Sequence, residues 1–123
     1  MKKDIAMKWA KALRSGEYKR GIGQLRDNNN KFCCLGVLCN LHAQAHPKIA
    51  AAQQDRCDYM HHASYLPPAV QRWAGMKSED GNVPFELAPR IKGNKVEDLA
   101  SMNDWNMSFG KLATFIEKNW KAL

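Results

Sequence analysis

Phe32-Cys-Cys-Leu-Gly-Val-Leu-Cys-Asn-Leu-His-Ala-Gln-Ala-His46, followed at once by Pro47, is the stretch whose pattern decides the fold. From Cys34 onward, Cys34, Val37, Leu38, Leu41 and Ala45 recur at i, i+3, i+4, i+7 and i+11. This is the spacing of one helix face, and Pro47 stops it. The pattern predicts a central core helix. Just upstream, Asp27-Asn-Asn-Asn30 is a turn signal. It lies between an extended run over residues 18–26, where Gly21 and Gly23 break helix and Ile22 and Leu25 point to a strand, and a return strand at Phe32-Cys33. A β-hairpin is the expectation there.

Further out, Asp4 can cap a first helix with Ile5, Trp9, Ala12 and Leu13 inward and Lys3, Lys11 and Arg14 outward, ended by Ser15-Gly16. Downstream, residues 49–54 favour helix and the segment to residue 66 reads as loop. Pro67-Pro68 opens a short helix through Trp73 that Gly75 can end. Residues 76–95, with Gly81, Pro84, Pro89 and Gly93, read as loop with short strands at 83–85 and 90–92. A helical turn at 96–102 and a turn at 103–106 precede a last helix capped by Ser108. Its apolar stripe is Phe109, Leu112, Ala113, Ile116 and Trp120, with Lys111, Lys118 and Lys121 outward. The expected fold is a small α+β domain over residues 1–123, a short β-hairpin packed with three to four helices.

The 123 residues suit one domain, and 45% hydrophobic with 25% charged side chains excludes a disordered chain or a collagen-like repeat. Charge is the deviation. The net value is +7, and residues 1–31 hold nine basic side chains against three acidic, while the rest hold ten against nine. An excess confined to one segment can make a patch of positive potential. No apolar run is long enough for a membrane span and no signal sequence is evident, so the expected setting is a host-cell cytoplasm without membrane attachment.

Three blocks carry a resemblance. Tyr18-Lys-x-Gly-x-Gly-x-Leu-Arg26, Phe32-Cys-Cys-Leu-Gly-Val-Leu-Cys39, and Leu99-x-x-Met-Asn-Asp104 followed by Ser108-Phe109 resemble a group of small proteins encoded by tailed phages and prophages. The resemblance implies a phage origin and carries over no catalytic residue. Accessory phage proteins are often inhibitors of host enzymes or of host defence, and that role is the expectation it supplies.

Cys34, Cys39, His42, His46, Cys57, His61 and His62 fall within 29 residues, and tetrahedral zinc accepts both thiolate and imidazole. There is no pair of Cys-x-x-Cys knuckles, and Cys34 lies in the apolar stripe. The preferred reading is therefore core cysteines with surface histidines, no metal and no cofactor. A thiol enzyme is the competing idea: Cys33 or Cys34 as nucleophile at a helix start, His42, His61 or His62 as base, and Asp58 or Asn40 orienting it. The stronger case is the basic segment. Lys11, Arg14, Lys19, Arg20 and Arg26 bracket Tyr18, the mixture that neutralises anions and stacks an aromatic. Trp9, on the inward face, reads as core.

The functional expectation is non-catalytic binding of an anionic target through Lys11, Arg14, Tyr18, Lys19, Arg20 and Arg26. The target classes are nucleic acid, a nucleotide signal or an acidic host protein. A Cys/His hydrolase or transferase is the alternative, and a structural or assembly role is third.

Overall fold

Two amphipathic helices and, between them in the chain, one largely buried helix frame the core, each where the apolar spacing places it. A computed structural model describes residues 1–123. Helix α1 is Lys3–Arg14, α2 is Cys34–Ala45 and α6 is Phe109–Asn119. Between α2 and α6 lie the short helices α3 (Pro47–Ala52), α4 (Pro68–Ala74) and α5 (Leu99–Asp104). Two strand pairs complete the molecule: β1 (Lys19–Arg20) with β2 (Lys31–Phe32), and β3 (Arg90–Ile91) with β4 (Asn94–Lys95). The fold class is α+β. It has six helices, more than expected, because α3 and α5 form where only helix-friendly segments or single turns were read.

One apolar cluster runs from Ile5 to Leu123. The inner face of α1 (Ile5, Ala6, Trp9, Ala10, Leu13) packs on the inner face of α6 (Phe109, Leu112, Ala113, Ile116). Helix α2 touches α1, α3, α4 and α5, and so is covered on several sides. Its buried set is accordingly wider than one stripe: Leu35, Gly36, Cys39 and His42 are buried with Cys34, Val37 and Leu38, whereas Leu41 is half-buried and Ala45 exposed. Trp9 is fully buried as expected, and its indole N–H donates to the Cys34 carbonyl at 2.9 Å.

Helix ends follow local chemistry. Ser108 caps α6 by accepting from the Lys111 amide, Asp98 caps α5 by accepting from the Ser101 amide at 2.7 Å, and Gly75 ends α4 in the left-handed conformation. Asp4 does not cap α1: it sits inside the first turn, where a carboxylate favours the helix dipole instead.

The segment around residue 27 departs from expectation. Strands β1 and β2 pair in parallel, Lys19 beside Lys31 and Arg20 beside Phe32, and only an isolated antiparallel bridge joins Arg26 to Phe32 across the 27–30 turn. The regular hairpin is therefore replaced by a loop that leaves β1, rounds Gly21–Leu25 and returns through the 27–30 turn to β2. The antiparallel hairpin of the molecule is β3–β4, turning at Lys92-Gly93, both in the left-handed region. Residues 83–85 form no strand; Asn82 instead makes a single bridge to Asp98.

Candidate anion-binding face

The cationic segment is held in place by one buried side chain, Asn103. Its Nδ2 donates to the Gly21 carbonyl at 2.8 Å and to Asp104 Oδ1 at 3.1 Å, and its Oδ1 accepts from the Cys34 amide at 3.1 Å. Asp104 Oδ1 also accepts from the Gly23 amide at 3.0 Å. Beside it, Leu25 rests on α2 where Gly36 has no side chain; a Cβ there would stand 1.7 Å from the Leu25 carbonyl oxygen. The three sequence blocks around residues 18–26, 32–39 and 99–104 thus meet at a single amide. Buried polar groups need partners in place of water, and every buried side-chain polar atom here has one.

The six anticipated binding residues divide into two sets. Lys11 on α1 and Lys19 on β1 are exposed, with no side-chain hydrogen bond or ion pair to the rest of the chain. The other four are engaged internally. Arg14 pairs with Glu117 at 2.5 Å and donates to Thr114 Oγ1 at 2.9 Å, linking α1 to α6 and holding the Glu117 carboxyl below its ordinary range. Arg20 donates to the Asn103 carbonyl at 2.7 Å and to Asn106 Oδ1 at 2.6 Å. Arg26 donates to Asn30 Oδ1 at 2.7 Å with its guanidinium 5.1 Å above the Phe32 ring. Tyr18, half-buried, meets Phe32 edge-on and accepts from Asn40 Nδ2.

Sequence reasoning left Lys31 out of this group, although the β1–β2 register sets it beside Lys19 with both side chains exposed. Like charges opposed on neighbouring strands are unfavourable alone and become favourable against an anion. The exposed aromatics were also missed: Trp105 follows Asp104 directly, and Tyr65 shares a depression with Gly23 and Asp104. No local periodicity marks either residue, because both sit in turns.

The thiol chemistry does not assemble. Cys33, Cys34 and Cys39 are buried, and burial pushes all three thiols well above the ordinary range, that of Cys33 to about 11. A thiol at such values is a poor nucleophile at neutral pH. The reading of surface histidines fails at His42, which is buried: its Nδ1 shares a hydrogen bond with the Tyr59 hydroxyl at 2.7 Å, and its ring stacks on His46 with centroids 4.1 Å apart. Burial lowers its pKa to about 4, reinforced by the His46 charge. No three His, Cys, Asp or Glu side chains gather in a metal-binding group.

Fold and site together define a small α+β protein in which a buried asparagine clamps a cation-bearing loop against a central helix. The chain belongs to the family described as a domain of unknown function, DUF8296, which matches residues 1–120. No curated protein and no solved structure matches it. No helix is long and apolar enough to cross a membrane.

Proposed function

We propose that this is a non-catalytic binding protein that engages an anionic target through the exposed lysines of its N-terminal quarter, Lys11, Lys19 and the adjacent Lys31. The observation that carries the reading is charge left uncompensated. Among nineteen Lys and Arg, Arg14 alone lies within 4.0 Å of a carboxylate. A surface with so few internal ion pairs keeps its positive potential available for a partner. Arg14, Arg20, Arg26 and Tyr18 act in this reading as the framework that fixes the loop, and the lysines as the contact surface.

The resemblance to small proteins of phages and prophages supports a host target in the cytoplasm and a role in blocking a host function or defence system. Exposed lysines on a helix and a strand suit an extended acidic surface, whether nucleic acid or protein. The test is a binding panel with the whole protein: duplex DNA, single-stranded DNA and polyglutamate, each by fluorescence anisotropy. Binding to one polyanion that Lys11→Glu/Lys19→Glu/Lys31→Glu removes supports the reading, and its class names the target. Equal, weak retention of all three by wild type and variant would refute it.

A further inference from the structure

A second group of cations lines a half-open cavity of about 190 Å³ between α2 and residues 53–59. Arg26 and Arg56 both line it, and one turn holds both. Asn30 Oδ1 accepts from Arg26 Nε at 2.7 Å, and the Asn28 carbonyl accepts from Arg56 Nη2 at 3.2 Å. Arg26 is further fixed by its position over the Phe32 ring. Both guanidiniums keep donors free, and no carboxylate lies within 4.0 Å of either. Asp58, also on the wall, stands beyond ion-pair reach of both. Two guanidiniums lining one cavity, neither paired with the single carboxylate on its wall, form a donor set that a phosphate dianion satisfies, each fork offering paired N–H groups to an oxyanion.

We propose that this cavity binds a small phosphate monoester of sugar-phosphate size. The phosphate sits on Arg26 and Arg56, the body lies against Leu25 and Ala43, and hydroxyl groups donate to the Asp58 carboxylate. A volume of this size is enough for a phosphate and a small ring but not for a folded chain. A monoester carries close to two negative charges near neutrality, matching two guanidiniums where a carboxylate matches one. The site goes beyond the lysine-mediated reading above and uses neither Lys11 nor Lys19, so each can fail alone.

Cys57 makes the site testable. Its thiol lines the cavity and donates to Asn28 Oδ1 at 3.2 Å, and it is the one cysteine that is not buried. The experiment measures the iodoacetamide alkylation rate of Cys57 by mass spectrometry. It compares ribose 5-phosphate, a 5′-phosphorylated dinucleotide, and ribose in sodium chloride of matched ionic strength. Either phosphate ester at about 1–10 mM, a weak-ligand range, is expected to slow alkylation several-fold while ribose does not. Whichever ester protects identifies the source of the phosphate. Arg56, exposed and bonded only to the Asn28 carbonyl, can be replaced without loss of fold, so Arg56→Ala should erase the protection ratio while Arg56→Lys retains part of it. Absence of protection by both esters, or an undiminished ratio in Arg56→Ala, would overturn the proposal.

Discussion

Asn103 and Cys34 lie 69 residues apart in sequence, and the Asn103 side-chain carbonyl accepts the Cys34 amide at 3.1 Å at the very start of α2. The same side chain reaches the Gly21 carbonyl, 82 residues away, through its Nδ2. A single primary amide thereby satisfies an orphan N–H of a helix terminus and an orphan carbonyl of the cationic loop. Any residue lacking one of the two functions leaves a buried group unpaired.

Asn103→Ala is therefore expected to destabilise the protein substantially, since each unpaired buried group costs about 1–3 kcal/mol. Asn103→Asp loses the donor to Gly21 and, when ionised, buries a carboxylate against that of Asp104, so at neutral pH it should be at least as destabilised as alanine. Urea titration followed by tryptophan fluorescence measures all three. Midpoints indistinguishable from wild type for Asn103→Ala would remove Asn103 from this role.

Two glycines give opposite expectations for the same substitution. Gly36→Ala forces a methyl into the Leu25 backbone, which must move away from α2, at a cost of about 1–3 kcal/mol or more. Gly110→Ala, in α6 with nothing within 4 Å of the added Cβ, should stabilise by about 0.5 kcal/mol through the lost freedom of the unfolded chain. Thermal midpoints moving down for the first and up for the second are the expected pair.

The framing helices were legible because their burial is local information. Ile5, Trp9 and Leu13, or Phe109, Leu112 and Ile116, state their face in the spacing alone, and Ser108 states where α6 begins. Residues 18–33 were misread because the forces that shape them come from far along the chain. Asn103 fixes Gly21 and Gly36 admits Leu25, so neither turn residues nor β propensity near residue 27 reveals a parallel pair. At the candidate site the cationic segment was visible as composition, but the partners of Arg14 and Arg20 lie 100 and 83 residues away. Sequence thus found the charges without separating the braced arginines from the free lysines. His42 did carry a usable signal: it lies four residues after Leu38 and seven after Leu35, on the buried side of α2.

Stability should depend on pH through His42. Its pKa is about 4 when folded against an ordinary value of 6.5, and the groups around it are the Tyr59 hydroxyl and the rings of His46 and Trp73. Between those values the unfolded chain takes up a proton that the folded protein refuses. Its contribution is intact above pH 6.5 and is lost as pH falls toward 4. Urea midpoints from pH 7.5 to 4.5 should decline, and the decline should be shallower in His42→Gln. Parallel curves would show that other groups control the acid limb.

Thiol reactivity discriminates binding from catalysis. Cys57 is expected to react with a disulfide reagent promptly in the native protein, while Cys33, Cys34 and Cys39 react only as it unfolds. Rapid native-state labelling at Cys33 or Cys34 would revive the nucleophile hypothesis. Leu38→Asp, placing a charge at a fully buried position of α2, should abolish cooperative folding, with Cys34→Ala far milder.

The most direct test of the account compares two charge reversals at two ionic strengths, using the polyanion that the wild-type protein binds. One variant carries Glu at Lys11, Lys19 and Lys31; the other carries Glu at Lys92, Lys111 and Lys118, all exposed, and so changes net charge equally. A local contact surface predicts that wild type and the second variant both weaken as salt rises, while the first shows no specific binding at either salt and all three unfold at similar midpoints. Wild-type affinity in the first variant, or equal defects in both, would contradict the assignment of the N-terminal lysines as the binding face.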